Sequence, residues 1–406
     1  DLAACLLVAA AILGGERPRR LWGLITLACF AALVVLTGVS IVWAIEPSAA
    51  WVEANRTLTW FAVFTAGLAL TRLMPGRWRA LLGGVLLASV VVTGYALLTK
   101  IFPGSLASEE TYGRLREPFQ YWNAVGLLAA LGLPIGVWLG ARRDGHLALA
   151  ALAYPIVGLL TVAILLAYSR GAVVAAAVGL GLWFIVVPLR LRAATVLLPS
   201  LAVASLIAVW AFQQDGLTKD DAILAQRSDA GTELGILLAA TGLLLLLVGL
   251  YATWLRDRRP WPSRTRRAWG TALLIVLALV PVAAAAALAT SDRGLSGSVS
   301  KAWNDLTDPN ANTPKNDPSR LTALGSVRAR YWRDGIEIFK ARPALGVGAG
   351  GYQAARLRFR QDDLAVLHAH GFLVQTAADL GIVGLAVTLA LLAAWLAATL
   401  RTTGPW

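Results

Sequence analysis

The chain has 406 residues, of which 58% are apolar before its 38 glycines are counted and only 15% are charged. About a quarter of the residues of an ordinary soluble protein are charged, so this composition excludes disorder, coiled coil and most soluble α/β architectures and leaves an all-α, polytopic membrane protein. A net charge of +13 would suggest nucleic acid in a soluble protein, but in a membrane protein it first asks which loops hold the arginines, and no nucleic-acid partner is expected.

A spanning helix needs about 20 predominantly apolar residues. In chain order such runs are Leu24–Ile45, Leu58–Thr71, Leu81–Ile101, Asn123–Ala141, Leu147–Tyr168, Ala172–Pro188, Ala194–Phe212, Leu234–Trp254, Thr271–Thr290 and Phe372–Leu400. The chain opens at Asp1 and is apolar from Leu2, so Leu2–Leu13 reads as a segment that has lost its beginning, for about eleven helices in this fragment. Leu58–Thr71 is the shortest of the later runs. Cys5 and Cys29 both lie in apolar runs and read as small hydrophobes rather than disulfide or metal-site thiols.

Alternate connections are basic. They carry Arg17, Arg19 and Arg20; Arg72, Arg77 and Arg79; Arg142 and Arg143; Arg190 and Arg192; Arg256, Arg258, Arg259, Arg264, Arg266 and Arg267; and Arg401. The connections between them hold acids such as Glu46, Glu53, Glu109, Glu110, Asp215, Asp220 and Asp221. Short cytoplasmic loops collect Lys and Arg, which puts the arginine loops in the cytoplasm and the remaining polar segments outside. The arginine connections hold seventeen arginines and three acids, while the rest of the chain holds nineteen basic and twenty acidic residues, so the whole excess is a topology signal.

One outward connection, Ser291 to Leu367, runs 77 residues. This divides the chain into a transmembrane bundle over 1–290, an extracytoplasmic loop module over 291–367, and a final transmembrane helix with its tail over 368–406. Within the module, Asp292–Pro318 is rich in Asp, Asn, Pro and Ser and reads as irregular. From Ser319 to Ala341 the pattern turns helical, with Leu321, Leu324, Val327, Tyr331, Ile336 and Phe339 as the apolar side. Pro343 ends it, Gly346–Gly351 makes a tight connection, and a second short helix runs from Tyr352 to about Arg360. Helices of this kind are expected to lie on the membrane face.

The acids fall in loops or near the ends of the apolar runs, with Glu233 and Asp379 closest to the membrane interior. That argues against an ion-coupled transporter, which places ionisable groups near the bilayer midplane. The three histidines are His146, His368 and His370. No third nitrogen or sulfur ligand accompanies the pair, and Asp362-Asp363 reads as a solvated loop, so neither a metal nor a cofactor is expected.

The pair His368-Ala369-His370 sits where the large loop returns to the membrane. Alone it would be an interfacial pair satisfied by water or a headgroup. Its company alters that reading. Arg170, in Tyr168-Ser169-Arg170-Gly171, lies at the outer end of two apolar runs with almost no loop between them, an expensive place for a bare guanidinium. It either snorkels to lipid phosphate or grips a phosphate or pyrophosphate bidentately. Arg320, Arg328, Arg330 and Arg333 add positive charge to the same side. A neutral histidine beside such a cluster can take a proton from a hydroxyl while arginines hold an anionic leaving group.

Three stretches together resemble the O-antigen ligase and polymerase superfamily of bacterial membrane glycosyltransferases. They are Pro118-Phe119-Gln120-Tyr121-Trp122-Asn123-Ala124, then Tyr168-Ser169-Arg170-Gly171-Ala172, and then the run from Arg330 through Arg342-Pro343-Ala344-Leu345-Gly346-Val347-Gly348 to His370-Gly371-Phe372-Leu373-Val374-Gln375 and Leu380-Gly381. Trp332 stands at the family's tryptophan. Gly371 departs from the usual Asn or Ser, and two extra helices lie between the Ser-Arg-Gly helix and the large loop.

The resemblance implies a metal-independent enzyme in the bacterial inner membrane. It would move a glycan from an undecaprenyl-pyrophosphate carrier to the hydroxyl of a glycan, lipid or protein acceptor on the extracytoplasmic face, with membrane lipids as its surroundings. It assigns His370 as the general base and Arg170 with Arg328 or Arg330 as the pyrophosphate ligands. Asn123, His368, Arg320, Arg333 and Trp332 become substrate-binding residues. The rival is a transporter or flippase of lipid-linked sugars, which accounts for the helices and the outer arginines but not for the 77-residue module.

Overall fold

The computed structural model describes residues 23–258, 262–311, 315–323 and 325–401, and among these every regular element is helical. The expected Leu2–Leu13 segment, Cys5 and Arg17, Arg19, Arg20 and Arg259 lie outside the described residues. In chain order the main helices are α1 (Leu24–Val39), α2 (Pro47–Leu73), α3 (Trp78–Ile101), α4 (Trp122–Ala141), α5 (Leu147–Leu166), α6 (Arg170–Val186), α7 (Arg190–Ala211), α8 (Leu224–Arg258) and α9 (Ser263–Ala289). The large loop adds α10 (Gly294–Thr307), α11 (Arg328–Ala341) and the short α12 (Tyr352–Arg356), and α13 (Phe372–Arg401) follows.

Eight helices among the described residues are long and apolar enough to cross a membrane, so the chain is a multi-pass helical membrane protein. Two of the expected spans differ. The Leu58–Thr71 run is the latter part of the 27-residue α2, whose early turns carry Glu53, Asn55 and Arg56 and whose last turn carries Arg72, so the helix as a whole is too polar. The Ala172–Pro188 run is α6, 17 residues long and therefore about 26 Å, short of the usual spanning length. Prolines 134, 155, 199 and 281 sit inside α4, α5, α7 and α9, as membrane helices tolerate when their neighbours satisfy the freed carbonyls.

The chain forms two compact units: residues 79–299 with 314–323, and residues 1–78 with 300–313 and 324–406. In the first unit α4 and α5 form the centre, with Val125, Ala129, Leu133, Val137, Tyr154, Val157 and Leu160 buried. Lipid tails are as apolar as leucine, so helices associate there through close packing rather than through escape from water. Small residues allow it: a Cβ on Gly132 would lie 2.8 Å from the Ser89 Cβ, and one on Gly140 2.7 Å from a Val196 methyl.

In the second unit α1, α11 and α12 pack against α13, and α2 packs against α1. Its core is Tyr331, Ile338, Val347, Tyr352, Ala355, Val366, Ala369 and Ala378. The helix α13 breaks at Gly381, where φ is +63° and ψ −157°. The freed N–H groups of Ile382 and Val383 bond the carbonyls of Pro343 and Ala344 at 2.8 and 3.4 Å. In return the carbonyls of Ala378 and Asp379 accept the N–H groups of Val347 and Gly348 at 3.1 and 2.9 Å. The broken backbone is thus satisfied by protein, as a helix that spans a bilayer requires. Gly346 is needed at this docking, since it combines φ +67° with a Cβ position only 2.4 Å from the Asp379 carbonyl carbon.

The large loop corrects four expectations. Its supposedly irregular beginning contains α10. The helical stretch expected from Ser319 is a 3-10 turn at Pro318–Leu321 followed by α11 from Arg328. The buried face of α11 is Ala329, Tyr331, Asp334, Gly335 and Ile338, while Ile336 is 46% exposed. The carboxylate of Asp334 is drawn in by Arg356, which moves the buried face away from the purely apolar pattern. The second loop helix ends at Arg356 rather than near Arg360.

Candidate active site

The residues His368 to Gly371 lead directly into α13. His370 has φ +51°, a left-handed conformation that histidine adopts more readily than most residues but that its surroundings must hold. They do so through a relay. The Ala369 N–H donates to the Gln375 side-chain oxygen at 2.7 Å, and the Gln375 amide donates to Asp379 at 2.8 Å. Asp379 also accepts the N–H groups of Gly350 and Tyr352 at 3.0 and 2.9 Å. The glycine-rich loop, the first turns of α13 and the histidine turn are therefore one hydrogen-bonded body.

The His370 ring lies against Tyr331, with centroids 5.7 Å apart. Partial burial, then the positive charge of Arg328 and the nearby His368, hold the His370 pKa below its ordinary value, so the imidazole is neutral at neutral pH and able to accept a proton. Beneath Tyr331 lies an ionic network. The Arg356 guanidinium sits 5.4 Å from the Tyr331 ring centroid and donates to Asp334 at 2.9 Å and to both oxygens of Asp362 at 2.8 and 2.9 Å. Arg356 is 2% exposed and Asp334 is fully buried. Burial is the largest single influence and would raise the Asp362 pKa, but the hydrogen bonds from Arg356 and the Leu364 N–H together with the charges of Arg356 and Arg330 outweigh it and hold the carboxylate low. Asp362 is thus committed to Arg356.

The arginines separate by partner. Arg330 donates through Nε to the Pro309 carbonyl and at 3.1 Å to that of Ala311, which ties the end of the α10 segment to α11. Arg333 pairs with Asp334 at 2.9 Å and with Gln361 at 2.7 Å. Among the described residues, the Arg328 guanidinium has no protein acceptor within hydrogen-bond reach, and it is the arginine whose charge acts on His370. Trp332 turns its Nε1 toward Gly371, where an added Cβ would lie 2.6 Å away. The indole thus fills the room a side chain at 371 would take. His368 is exposed.

In the other unit the two shorter motifs meet. Ser169 caps α6, its Oγ accepting the Ala172 N–H at 3.3 Å, and donates to Asn123 Oδ1 at 2.8 Å. The Asn123 amide donates to the Tyr121 hydroxyl at 2.8 Å. Both polar ends of Asn123 are therefore held by protein, which makes it a positioning residue for the Ser169-Arg170 turn. Arg170 donates to the Ala323 carbonyl, and Arg320 lies in the 3-10 turn of the same segment.

Arg114 gave no signal in the sequence beyond being one more loop arginine. It is 1% exposed, donates to the carbonyls of Ala167 at 3.0 and 2.8 Å and of Tyr168 at 3.0 Å, and lies 4.1 Å from the Trp122 ring centroid. Burial, then the charge of Arg320, lower its pKa to about 9. A cation at the carbonyl end of α5 is favoured by the helix dipole. Here it fixes the turn from which Ser169 and Arg170 project.

The fold and this site define a multi-pass membrane protein that presents a neutral histidine beside an arginine at the mouth of its last helix. Residues 229–389 match the family model described as O-antigen ligase, so this stretch is similar to that family. Neither the curated proteins nor the solved structures include a match to the chain.

Proposed function

We propose that the protein transfers a glycan from an undecaprenyl-pyrophosphate carrier to an acceptor hydroxyl, without a metal, on the extracytoplasmic face of a bacterial inner membrane. The acceptor oxygen attacks the anomeric carbon, the bond from that carbon to the phosphate oxygen breaks, and its electron pair leaves with the carrier pyrophosphate. His370 takes the hydroxyl proton. Arg328 holds the leaving pyrophosphate, and Arg170 is a second phosphate ligand on the strength of its motif. Arg330 and Arg333 are structural in this scheme, because their donors are committed to Pro309, Ala311, Asp334 and Gln361.

One observation carries the reading: a neutral imidazole, held in a left-handed turn by Ala369 and Gln375, beside an arginine with no protein acceptor among the described residues. Charge stabilisation of the leaving group and the confinement of two tethered substrates would supply most of the rate. The test is His370→Ala in proteoliposomes with a labelled carrier-linked glycan. Loss of carrier pyrophosphate release with the protein still folded is expected, and full release in the variant would sink the assignment. Translocation without release in the unaltered protein would instead indicate a transporter.

A further inference from the structure

We propose that α10 is an interfacial helix, lying in the plane of the bilayer surface with Leu295, Val299, Trp303 and Leu306 inserted among the lipids. At about 100° per residue these four side chains and Ala302 share an arc of roughly a third of the helix circumference. Ser298, Lys301, Asn304 and Asp305 occupy the opposite side, and Lys301 pairs with Asp305 at 3.0 Å. Among the described residues nothing covers the apolar side. Leu295 is 45% exposed, Val299 59%, Trp303 66% and Leu306 41%. A soluble loop would not leave such a stripe in water.

The occupant follows from what precedes the helix. α9 is a candidate membrane span that buries none of its residues within the protein, so its surface is lipid-facing. Only residues 290–293 separate it from α10, and hydrogen bonds from Thr290 to Ala286 and from Gly294 to Ser291 fold them into a turn. An extended stretch of that length spans at most about 14–18 Å, so α10 begins within or beside the headgroup layer. Gly294, with φ +65°, redirects the chain. Ser298, in the second turn of α10, lies 3.4 Å from Ser291 at the end of α9, oxygen to oxygen. A helix projecting straight out of the membrane would carry Ser298 away from that point, whereas one that turns sideways keeps it there. A tryptophan on the apolar side fits the level at which indoles settle in bilayers, and the moderate length and strongly two-sided pattern are those of surface-lying helices.

The inference depends on α9 spanning the membrane and not on the catalytic reading, so each can fail alone. In full-length protein with Cys5 and Cys29 replaced by serine, nitroxide labels are placed singly by Val299→Cys, Leu306→Cys, Lys301→Cys and Asn304→Cys in lipid nanodiscs. Labels at 299 and 306 are expected to be mobile and several-fold more accessible to oxygen than to a water-soluble nickel complex, and labels at 301 and 304 the reverse. Water accessibility at all four positions overturns the proposal. So do labels at 299 and 306 that are immobilised and closed to both reagents, which would mean that protein, such as a second copy of the chain, covers the stripe.

Discussion

The backbone N–H of Ala369 is held by the side-chain oxygen of Gln375 at 2.7 Å, which fastens the residue before His370 to the second turn of the helix after it. Ala369 is fully buried, so no water can replace this acceptor. Gln375→Leu keeps the volume but leaves the Ala369 N–H unpaired and removes a donor to Asp379. An unsatisfied buried group costs about 1–3 kcal/mol, and the loss should fall on kcat through a displaced imidazole. A fall in kcat of roughly tenfold or more, with substrate KM little changed, is expected in a transfer assay; unchanged kcat would show that the relay does not position His370.

With His370 as the proposed base, its titration should set the acid side of the activity profile. Its pKa lies below the ordinary value through partial burial and then Arg328 and His368. A base works only when unprotonated, so activity should persist below the ordinary histidine pKa and disappear as pH falls through the lowered one. Arg328→Gln removes a positive neighbour and should move this limb to higher pH, in addition to weakening the hold on the pyrophosphate. A kcat/KM profile between pH 5 and 8 measures both effects, and a limb that stays in place would show that the Arg328 charge does not act on the histidine.

Gly371 and Trp332 should be coupled. Gly371→Ala puts a Cβ 2.6 Å from the indole Nε1, and overpacking of this kind costs typically about 1–3 kcal/mol. Adding Trp332→Leu makes room, so the double variant should recover part of the melting temperature lost by Gly371→Ala. Additive losses would mean that the two side chains do not compete for the same space.

Arg114 should matter for the other unit. Arg114→Ala removes the donor to the Ala167 and Tyr168 carbonyls, and hydrogen bonds to charged groups contribute about 1.5–3 kcal/mol. A drop of several degrees in melting temperature and reduced transfer are expected, with Arg114→Lys restoring stability in part because an ammonium supports the helix end but cannot span both carbonyls in the planar guanidinium's way. A variant as stable and active as the parent would contradict the positioning role.

Breaking the buried ion pair under Tyr331 should be costlier. Asp334→Asn leaves Arg356, 2% exposed, without one of its two carboxylates, and loss of one partner of a buried pair typically costs about 3–5 kcal/mol. The measurement is thermal unfolding in detergent, where little or no change would show that Asp362 alone satisfies the guanidinium.

Much of the architecture was legible because the bilayer imposes a simple rule on sequence. A run of about 20 apolar residues must become a helix, since no other single segment can satisfy its backbone there. Each apolar run expected from Leu24 onward falls on a helix. Where the structure departs from the sequence pattern the cause is local. The Asp- and Ser-rich composition around α10 masked the four apolar residues that share one face of it. The buried face of α11 departs from the apolar pattern because a buried carboxylate, Asp334, behaves as a core residue once Arg356 neutralises it.

The sequence by itself determined the membrane class, the order of the motifs and a candidate set of His370, Arg170 and the competing arginines Arg320, Arg328, Arg330 and Arg333, because hydropathy and residue chemistry are properties of the chain. Only the tertiary structure decided which of these are committed elsewhere. Arg330 and Arg333 look equivalent to Arg328 in one dimension, yet carbonyls and carboxylates from distant positions occupy them. Arg114 and Gln375 gain their importance from hydrogen bonds to buried backbone groups. A hydrogen bond depends on a few tenths of an ångström and on direction, and neither is set by the order of residues until the helices pack.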